Sequence, residues 1–387
     1  MTRARIVGTG LIGTSIGLAL RAAGWQVSLQ DPSPTAAALA RDLGAGTIDD
    51  ETPDVVVVAA PPDVAARVVA EQLERWPGAA VTDVASVKGA IASGVAALAG
   101  PGSVERYVGS HPMAGRERSG AVAGRPDLFE GRAWVVVPTP RSAPEAVDAV
   151  RALAAAARGE VVVMTADEHD AAVAAVSHVP QVMATLTAAR LRDRDEHAVG
   201  LAGQGLRDVT RIAASDPQLW TQILAGNAAG VREVLLDVQE DLAAALDALA
   251  ALADEASTSG ADDGPHGERR GEHANALGGR YAPAPGAPGA RAVLARLLDD
   301  GNRGRALVPG KHGGAPTAYD VVTVVIPDEP GSLGRLFAEV GDAGINIEDL
   351  HLEHAVGHPV ALAEVSVLPA ASDRLRDHLR STGWRIH

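Results

Sequence analysis

Six residues near the start, Gly8-Thr9-Gly10-Leu11-Ile12-Gly13, constrain the fold of this 387-residue chain more than any other segment. They follow a short apolar run ending at Val7 and open a segment that reads as a helix through Leu20. In that context each glycine has a purpose: the first permits a tight strand-to-helix turn, the second lets backbone approach a pyrophosphate, and the third lets helix and strand pack closely. Phosphate then meets the positive end of the helix dipole. A second strand, 26–30, leads into Asp31, eighteen positions after Gly13. A carboxylate there hydrogen-bonds the adenosine ribose and repels a 2′-phosphate. Gly8, Thr9, Gly10, Leu11, Ile12, Gly13 and Asp31 therefore predict a dinucleotide site that takes NAD rather than NADP. Ala60 and Pro61, after a further apolar run, are expected on its adenosine side, although a Pro-Pro turn also serves simply to end a strand. The competing reading of the glycines is a turn in an unrelated α/β protein.

The rest of residues 1–165 supports the first reading, because short β-rich runs alternate with helical stretches. The runs are 5–7, 26–30, 55–60, 79–82, 107–109, 133–137 and 161–164. Such alternation predicts an α/β, Rossmann-like domain with a mostly parallel sheet covered by helices. Residues 166–253 lose the strand runs and read as an all-α segment. Within it Asp216-Pro217 marks a helix start, and Val231, Val234, Leu235, Val238, Leu242, Leu246 and Leu249 form one apolar stripe that needs a partner surface. Residues 254–290, rich in Ser, Gly, Asp, Glu, His and Pro, read as a flexible linker. Residues 291–318 read as a short helix (291–299) and a basic connector through Lys311-His312. Residues 319–387 read as a compact α+β unit of order βαββα, with strands at 321–326, 345–351 and 360–367 and helices at 331–342 and 372–380.

Bulk properties exclude several functions. With 47% hydrophobic residues but no continuous apolar run near the eighteen or so needed to cross a bilayer, no membrane partner is expected. The first residues run straight into the glycine turn, leaving no room for a signal peptide, so the cytoplasm is the expected location. A formal charge of -15 without a Lys/Arg stripe argues against nucleic acid. The absence of cysteine removes thiol nucleophiles, disulfides and thiolate metal sites, so redox chemistry must use a borrowed cofactor. No convincing metal ligand set is seen.

Four further segments carry candidate chemistry. Gly109-Ser110-His111-Pro112-Met113-Ala114-Gly115 places an imidazole on what reads as a glycine-bounded loop, where it either caps a turn or takes a hydroxyl proton as hydride leaves the same carbon. Asp83-Val84-Ala85-Ser86-Val87-Lys88 follows an apolar strand, and Ser86 there is a helix cap, an active-site hydroxyl, or both. Ser177-His178-Val179-Pro180 interrupts a helical run, and His178 is either a satisfied helix-end histidine or a substrate contact. Arg207 and Arg211, four residues apart, share a face if helical. They suit a carboxylate ligand or simply lie in solvent.

Together these segments, with Glu117 and Trp220, resemble the prephenate dehydrogenase family, including its arogenate-using members, over residues 1 to 320. The resemblance implies NAD-dependent oxidative decarboxylation of prephenate to 4-hydroxyphenylpyruvate, or of arogenate to tyrosine. It implies that His111 is the base, that Ser86 hydrogen-bonds and orients it, that Arg211 clamps the ring carboxylate, and that His178 faces the side-chain end. Glu117 would join an ionic gate with Asp208 or Arg211, and Arg207 stands where relatives carry lysine, keeping the cation with different reach. The helical segment would form a homodimer. Pro327-Asp328-Glu329-Pro330-Gly331-Ser332-Leu333-Gly334, followed by Ala343-Gly344-Ile345-Asn346-Ile347, resembles the ACT domain family. That second resemblance implies a ferredoxin-like regulatory domain with an amino-acid effector, tyrosine first, or else an assembly module without ligand.

Two rivals use the same architecture. A β-hydroxyacid dehydrogenase would need an acid-base lysine in the helical segment, and Lys88 and Lys311 are the only lysines in the chain. A non-catalytic NAD- and amino-acid-sensing regulator would have no reason to keep Ser86, His111, His178 and Arg211 together.

Overall fold

The computed structural model describes residues 2–115, 120–259, 289–308, 319–354 and 359–386. They fall into two compact units, Met1–Gln239 and Glu240–His387.

The first unit begins with β1 (Arg3–Val7), α1 (Leu11–Ala22), β2 (Gln26–Gln30), α2 (Pro34–Asp42), β3 (Val55–Val58), α3 (Pro62–Arg75), β4 (Ala80–Asp83) and α4 (Gly89–Leu98). Strands β1 to β4 are all parallel, in the order β2-β1-β3-β4. β5 (Val108–Pro112), β6 (Ala133–Pro138), α5 (Pro144–Ala156) and β7 (Glu160–Val163) follow, with β5 antiparallel to β6 and β6 parallel to β7. A parallel bridge between Val81 and Tyr107 joins the two sheets. The carboxyl ends of β1, β3, β4 and β5 therefore lie along one edge, where open parallel sheets bind ligands. Helices cover both faces, and two buried apolar clusters fill the space, one around Ile6, Leu20 and Trp134 and one around Val56, Val69 and Ile91.

The helical segment consists of α6 (Ala166–Val173), α7 (Val179–Ala189), α8 (Glu196–Gly200), α9 (Gln204–Thr210), α10 (Pro217–Gly226) and α11 (Ala228–Ser259). Thr165 and Glu168 form a reciprocal capping box at the start of α6, and Asp216 caps α10 ahead of Pro217. Pro180 does not break the run as its lost donor suggests: a single wide π-type turn, Ala174–His178, joins α6 to α7 and leaves Pro180 in the first turn of α7, where no amide is needed. The resulting helical run Ala166–Ala189 is 24 residues long and, by length and hydropathy, apolar enough to cross a membrane, which corrects the expectation that no such run exists. A core of Ala174, Val179 and Val231 packs it against Val234, Leu235 and Val238 of α11.

The second unit takes in the end of α11, which continues to Ser259, past the expected boundary at 253. Then come α12 (Ala290–Ala306), β8 (Asp320–Pro327), α13 (Ser332–Asp342), β9 (Asp349–His354), β10 (Val360–Val367), α14 (Pro369–Ser381) and β11 (Arg385–Ile386). The sheet is antiparallel in the order β11-β8-β10-β9, so the expected βαββα order gains a final edge strand. The strand expected at 345–351 begins only at Asp349. Asp349 pairs with Ser366 near the end of β10, the Glu348 amide makes one last bond to the Ser366 carbonyl (2.9 Å), and Ile345 tucks into the core instead. Most of the expected linker and all of Lys311-His312 lie outside the described residues.

Candidate active site

The turn after β1 has the geometry a dinucleotide needs. Gly8 has φ +101°, and a Cβ there would stand 2.3 Å from the Ala59 carbonyl oxygen. A Cβ on Gly13 would meet the Gly8 carbonyl oxygen at 1.9 Å, whereas one on Gly10 would meet nothing within 4 Å. The cradle at Gly10 is thus open to a ligand, and the N-terminus of α1 has no side-chain cap competing for its amides. Leu11 and Ile12 begin α1 and pack with the core beneath it. Asp31 lies just past β2, and its Oδ2 accepts hydrogen bonds from the Thr9 amide (2.7 Å) and hydroxyl (2.9 Å). Ala60, half-buried, and Pro61, exposed, connect β3 to α3 on the same edge. These residues fit a dinucleotide.

His111 corrects its expected setting. It is not on a loop but in β5, paired with Val135 of β6, because the backbone of 108–112 finds a full antiparallel partner despite its glycine and proline. Its ring sits at the carboxyl end of the strand. Nor does Ser86 hydrogen-bond it. Ser86 stays half-buried in the turn after β4, and the Nδ1 of His111 instead lies 2.9 Å from Nε2 of His169. Burial pushes the His111 pKa well below the usual imidazole value, with the neighbouring His169, Lys88 and His178 acting in the same direction.

Three residues that the sequence did not single out complete this centre: His169, Asp170 and Asn227. His169 Nδ1 is 2.8 Å from Asp170 Oδ1. The Asp170 carboxylate also accepts from the amides of Lys88 (2.9 Å) and Gly89 (2.8 Å), capping α4 from the helical segment. Burial works to raise its pKa, but hydrogen bonds from His169 and from the Gly89 and Lys88 amides outweigh that and hold it low. Asn227 Nδ2 donates to the Asp170 carbonyl (2.7 Å) and to His178 Nδ1 (3.2 Å). His178 lies in the wide turn before α7, buried, with Trp220 edge-on at 6.1 Å between centroids. Burial lowers its pKa, the charge of Asp170 opposes that, and His169 adds to it. The one sequence signal was the ionisable cluster Asp167-Glu168-His169-Asp170 opening a helical run that is mostly apolar after it.

Lys88 is unavailable for chemistry. Fully buried, its ammonium pairs with Asp83 and donates to the Ser110 carbonyl at 2.8 Å, while the Tyr107 hydroxyl donates to the other Asp83 oxygen at 2.8 Å. This network pins Ser110, the residue preceding His111.

The arginines lie farther out. Arg207 is exposed in the last turn of α9, and Arg211, also exposed, opens the short turn Arg211–Ala213 that packs on α7. Neither makes a described contact with His111. Glu117 lies outside the described residues.

Comparison with known proteins shows the family. The family described as "Prephenate dehydrogenase, nucleotide-binding domain" matches residues 16–163, and "Prephenate dehydrogenase, dimerization domain" matches residues 165–258. The chain is 36% identical to the "Probable prephenate dehydrogenase NovF" of Streptomyces niveus, covering 99% of each. It is 26% identical to the prephenate dehydrogenase of Lactococcus lactis subsp. cremoris, over 91% of this chain and 92% of that one. Among solved structures, prephenate dehydrogenase from A. aeolicus in complex with hydroxyphenyl propionate and NAD+ matches with a TM-score of 0.60 and 27% identity, over 67% of this chain and 94% of that one. This chain belongs to the prephenate dehydrogenase family.

Proposed function

We propose that the chain oxidises and decarboxylates prephenate to 4-hydroxyphenylpyruvate with NAD, His111 acting as the base. The observation that carries this reading is the half-buried His111 ring at the carboxyl end of β5, on the sheet edge that also holds the Gly8–Gly13 turn. Bound NAD supplies a hydride acceptor. His111, neutral because burial disfavours its cation, takes the proton of the ring C4 hydroxyl. The carbonyl so formed is the electron sink into which the ring carboxylate is lost as carbon dioxide, and His111 returns its proton to the phenolic oxygen. Ser86, on the same edge after β4, supplies a hydroxyl to the substrate. Arg211, with Arg207 as a second cation, holds the ring carboxylate, and His178 contacts the side-chain end. Glu117 is assigned to gating.

The test is an absorbance assay at 340 nm, where NADH absorbs, with NAD and either prephenate or arogenate. Turnover of prephenate at least about tenfold above arogenate supports the reading. The reverse ratio makes the enzyme an arogenate dehydrogenase, and no turnover with either removes the assignment.

We further infer that the second unit is an ACT domain that binds tyrosine. The β11-β8-β10-β9 order is that of a ferredoxin-like sheet, and a cleft of about 110 Å³ lies where β8 turns into α13. Ser332 lines it with a buried hydroxyl that has no hydrogen-bond partner among the described residues, beside the amides opening α13. A homodimer is the proposed assembly, supported by the exposed Leu242, Leu246 and Leu249, the half of the α11 stripe left bare.

A further inference from the structure

With both imidazoles neutral, the protons in the chain of three side chains behind His111 have one arrangement that satisfies every contact. Asp170, ionised, accepts hydrogen bonds only, so His169 Nδ1 at 2.8 Å from its Oδ1 carries a proton. Neutral His169 then has a bare Nε2. That nitrogen lies 2.9 Å from His111 Nδ1, which must therefore be the donor. Neutral His111 is left with its proton on Nδ1 and its lone pair on Nε2. The two rings meet edge to face, 5.1 Å apart at 68°, and His169 is 1% exposed, so water does not compete for the contact. Asp170 is itself fixed by the amides at the start of α4, which belongs to the nucleotide-binding segment. The orientation of the His111 ring is thus referenced both to its own strand and to the helix flanking the cofactor edge.

We propose that His169 and Asp170 are a positioning pair that fixes the tautomer and rotation of His111, so that Nε2 is the atom that takes the substrate proton. Both side chains lie behind the His111 ring, 1% and 15% exposed. When His111 Nε2 gains the proton, His111 carries an N–H at both nitrogens. Its Nδ1–H stays on His169, whose own Nδ1–H remains on Asp170, so the positive charge is steadied by a carboxylate two hydrogen bonds away. This inference rests on His111 being the base and adds what orients it.

The test is a cycle of four proteins, wild type, His111→Asn, His169→Leu and the double variant, each with kcat, KM for both substrates and Tm. His169→Leu is expected to lower kcat about 100-fold or more with KM values changed less than about threefold, within the 10²- to 10⁴-fold that a positioned general base contributes. The double variant is expected to be no slower than His111→Asn alone, because residues that act as one unit do not add. His169→Gln, whose amide oxygen can accept the Nδ1 proton, should recover about tenfold over His169→Leu. A His169→Leu enzyme within about threefold of wild type, or a double variant whose loss is the product of the single losses, overturns the positioning role. If His169→Leu does not fold, His169→Asn, too short to reach His111, is compared with His169→Gln, and equal rates overturn it. The two readings separate cleanly: slow His111→Asn with fast His169→Leu defeats only the positioning pair, whereas fast His111→Asn defeats the base assignment and the pair with it.

Discussion

Asp31 and Thr9 are joined twice through one carboxylate oxygen, which accepts both the Thr9 amide at 2.7 Å and its hydroxyl at 2.9 Å. The residue read as the ribose partner therefore also shapes the glycine turn before any cofactor arrives. Its other oxygen accepts the Ser33 amide at 2.8 Å, and a carboxylate retains further lone-pair directions for ribose hydroxyls.

Charge and shape at this position separate in Asp31→Asn. The amide oxygen can still hold Thr9, while the repulsion of a 2′-phosphate is lost, so the ratio of kcat/KM for NADP to that for NAD is expected to rise about tenfold or more. Steady-state kinetics with both cofactors measure it. An unchanged ratio would mean that NAD selectivity resides elsewhere.

Gly10 and Gly13 give opposite outcomes for the same substitution. At Gly13 an added methyl would sit 1.9 Å from a carbonyl oxygen, so Gly13→Ala is expected to cost about 3 kcal/mol or more of stability and to lower Tm by several degrees. At Gly10 there is free space, and Gly10→Ala should melt like wild type yet lose much of the Tm rise that NAD produces. Thermal melts with and without NAD decide both.

These two glycines show how far the sequence carries. Spacing and strand context located the turn, because its backbone demands leave few residue choices, and all seven expected strands of the nucleotide-binding segment are present. His111 was legible as chemistry but not as structure: glycine and proline around it imitate a loop, and only the distant β6 makes that stretch a strand. His169 was legible only as an ionisable residue at the start of a helical run, since its meaning comes from a contact across 58 positions that no local pattern announces. The same holds for β11, whose two residues are a strand only because β8 offers them an edge.

Burial of two neutral imidazoles makes this centre sensitive to acid. His111 and His178 both have folded pKa values pushed below 6.5 by burial, so between that value and their folded pKa values the unfolded chain binds protons that the folded chain refuses. Their contribution is therefore fully present above about pH 6.5 and declines as pH falls below it. Tm is expected to drop between pH 7 and 5, and His111→Asn, lacking one of these groups, should show a shallower drop. The acid limb of kcat/KM should likewise lie below pH 6.5, since the base stays unprotonated there. Equal Tm slopes in the two proteins would contradict the assignment of this acid sensitivity to His111.

Arg211→Ala is expected to raise KM for prephenate by about 10- to 100-fold, the worth of one or two charge-assisted hydrogen bonds to a carboxylate, with kcat changed far less. If KM is unchanged, another cation holds the ring carboxylate, and Arg207→Ala becomes the comparison of interest.

Ser332 ties the second unit to a ligand. Its hydroxyl is buried without a partner among the described residues, and a buried hydroxyl left unmet costs about 1–3 kcal/mol. An amino acid whose α-carboxylate meets the opening amides of α13 would place a polar group within its reach. Tyrosine at millimolar concentration is therefore expected to raise Tm by a few degrees and to lower the rate of NADH formation. Ser332→Ala should melt at or slightly above the wild-type temperature without ligand, because the unmet hydroxyl is gone, and respond to tyrosine about tenfold more weakly. If tyrosine and phenylalanine change neither Tm nor rate, the unit works as an assembly module, and the melting temperature of Ser332→Ala reports only on packing at the start of α13.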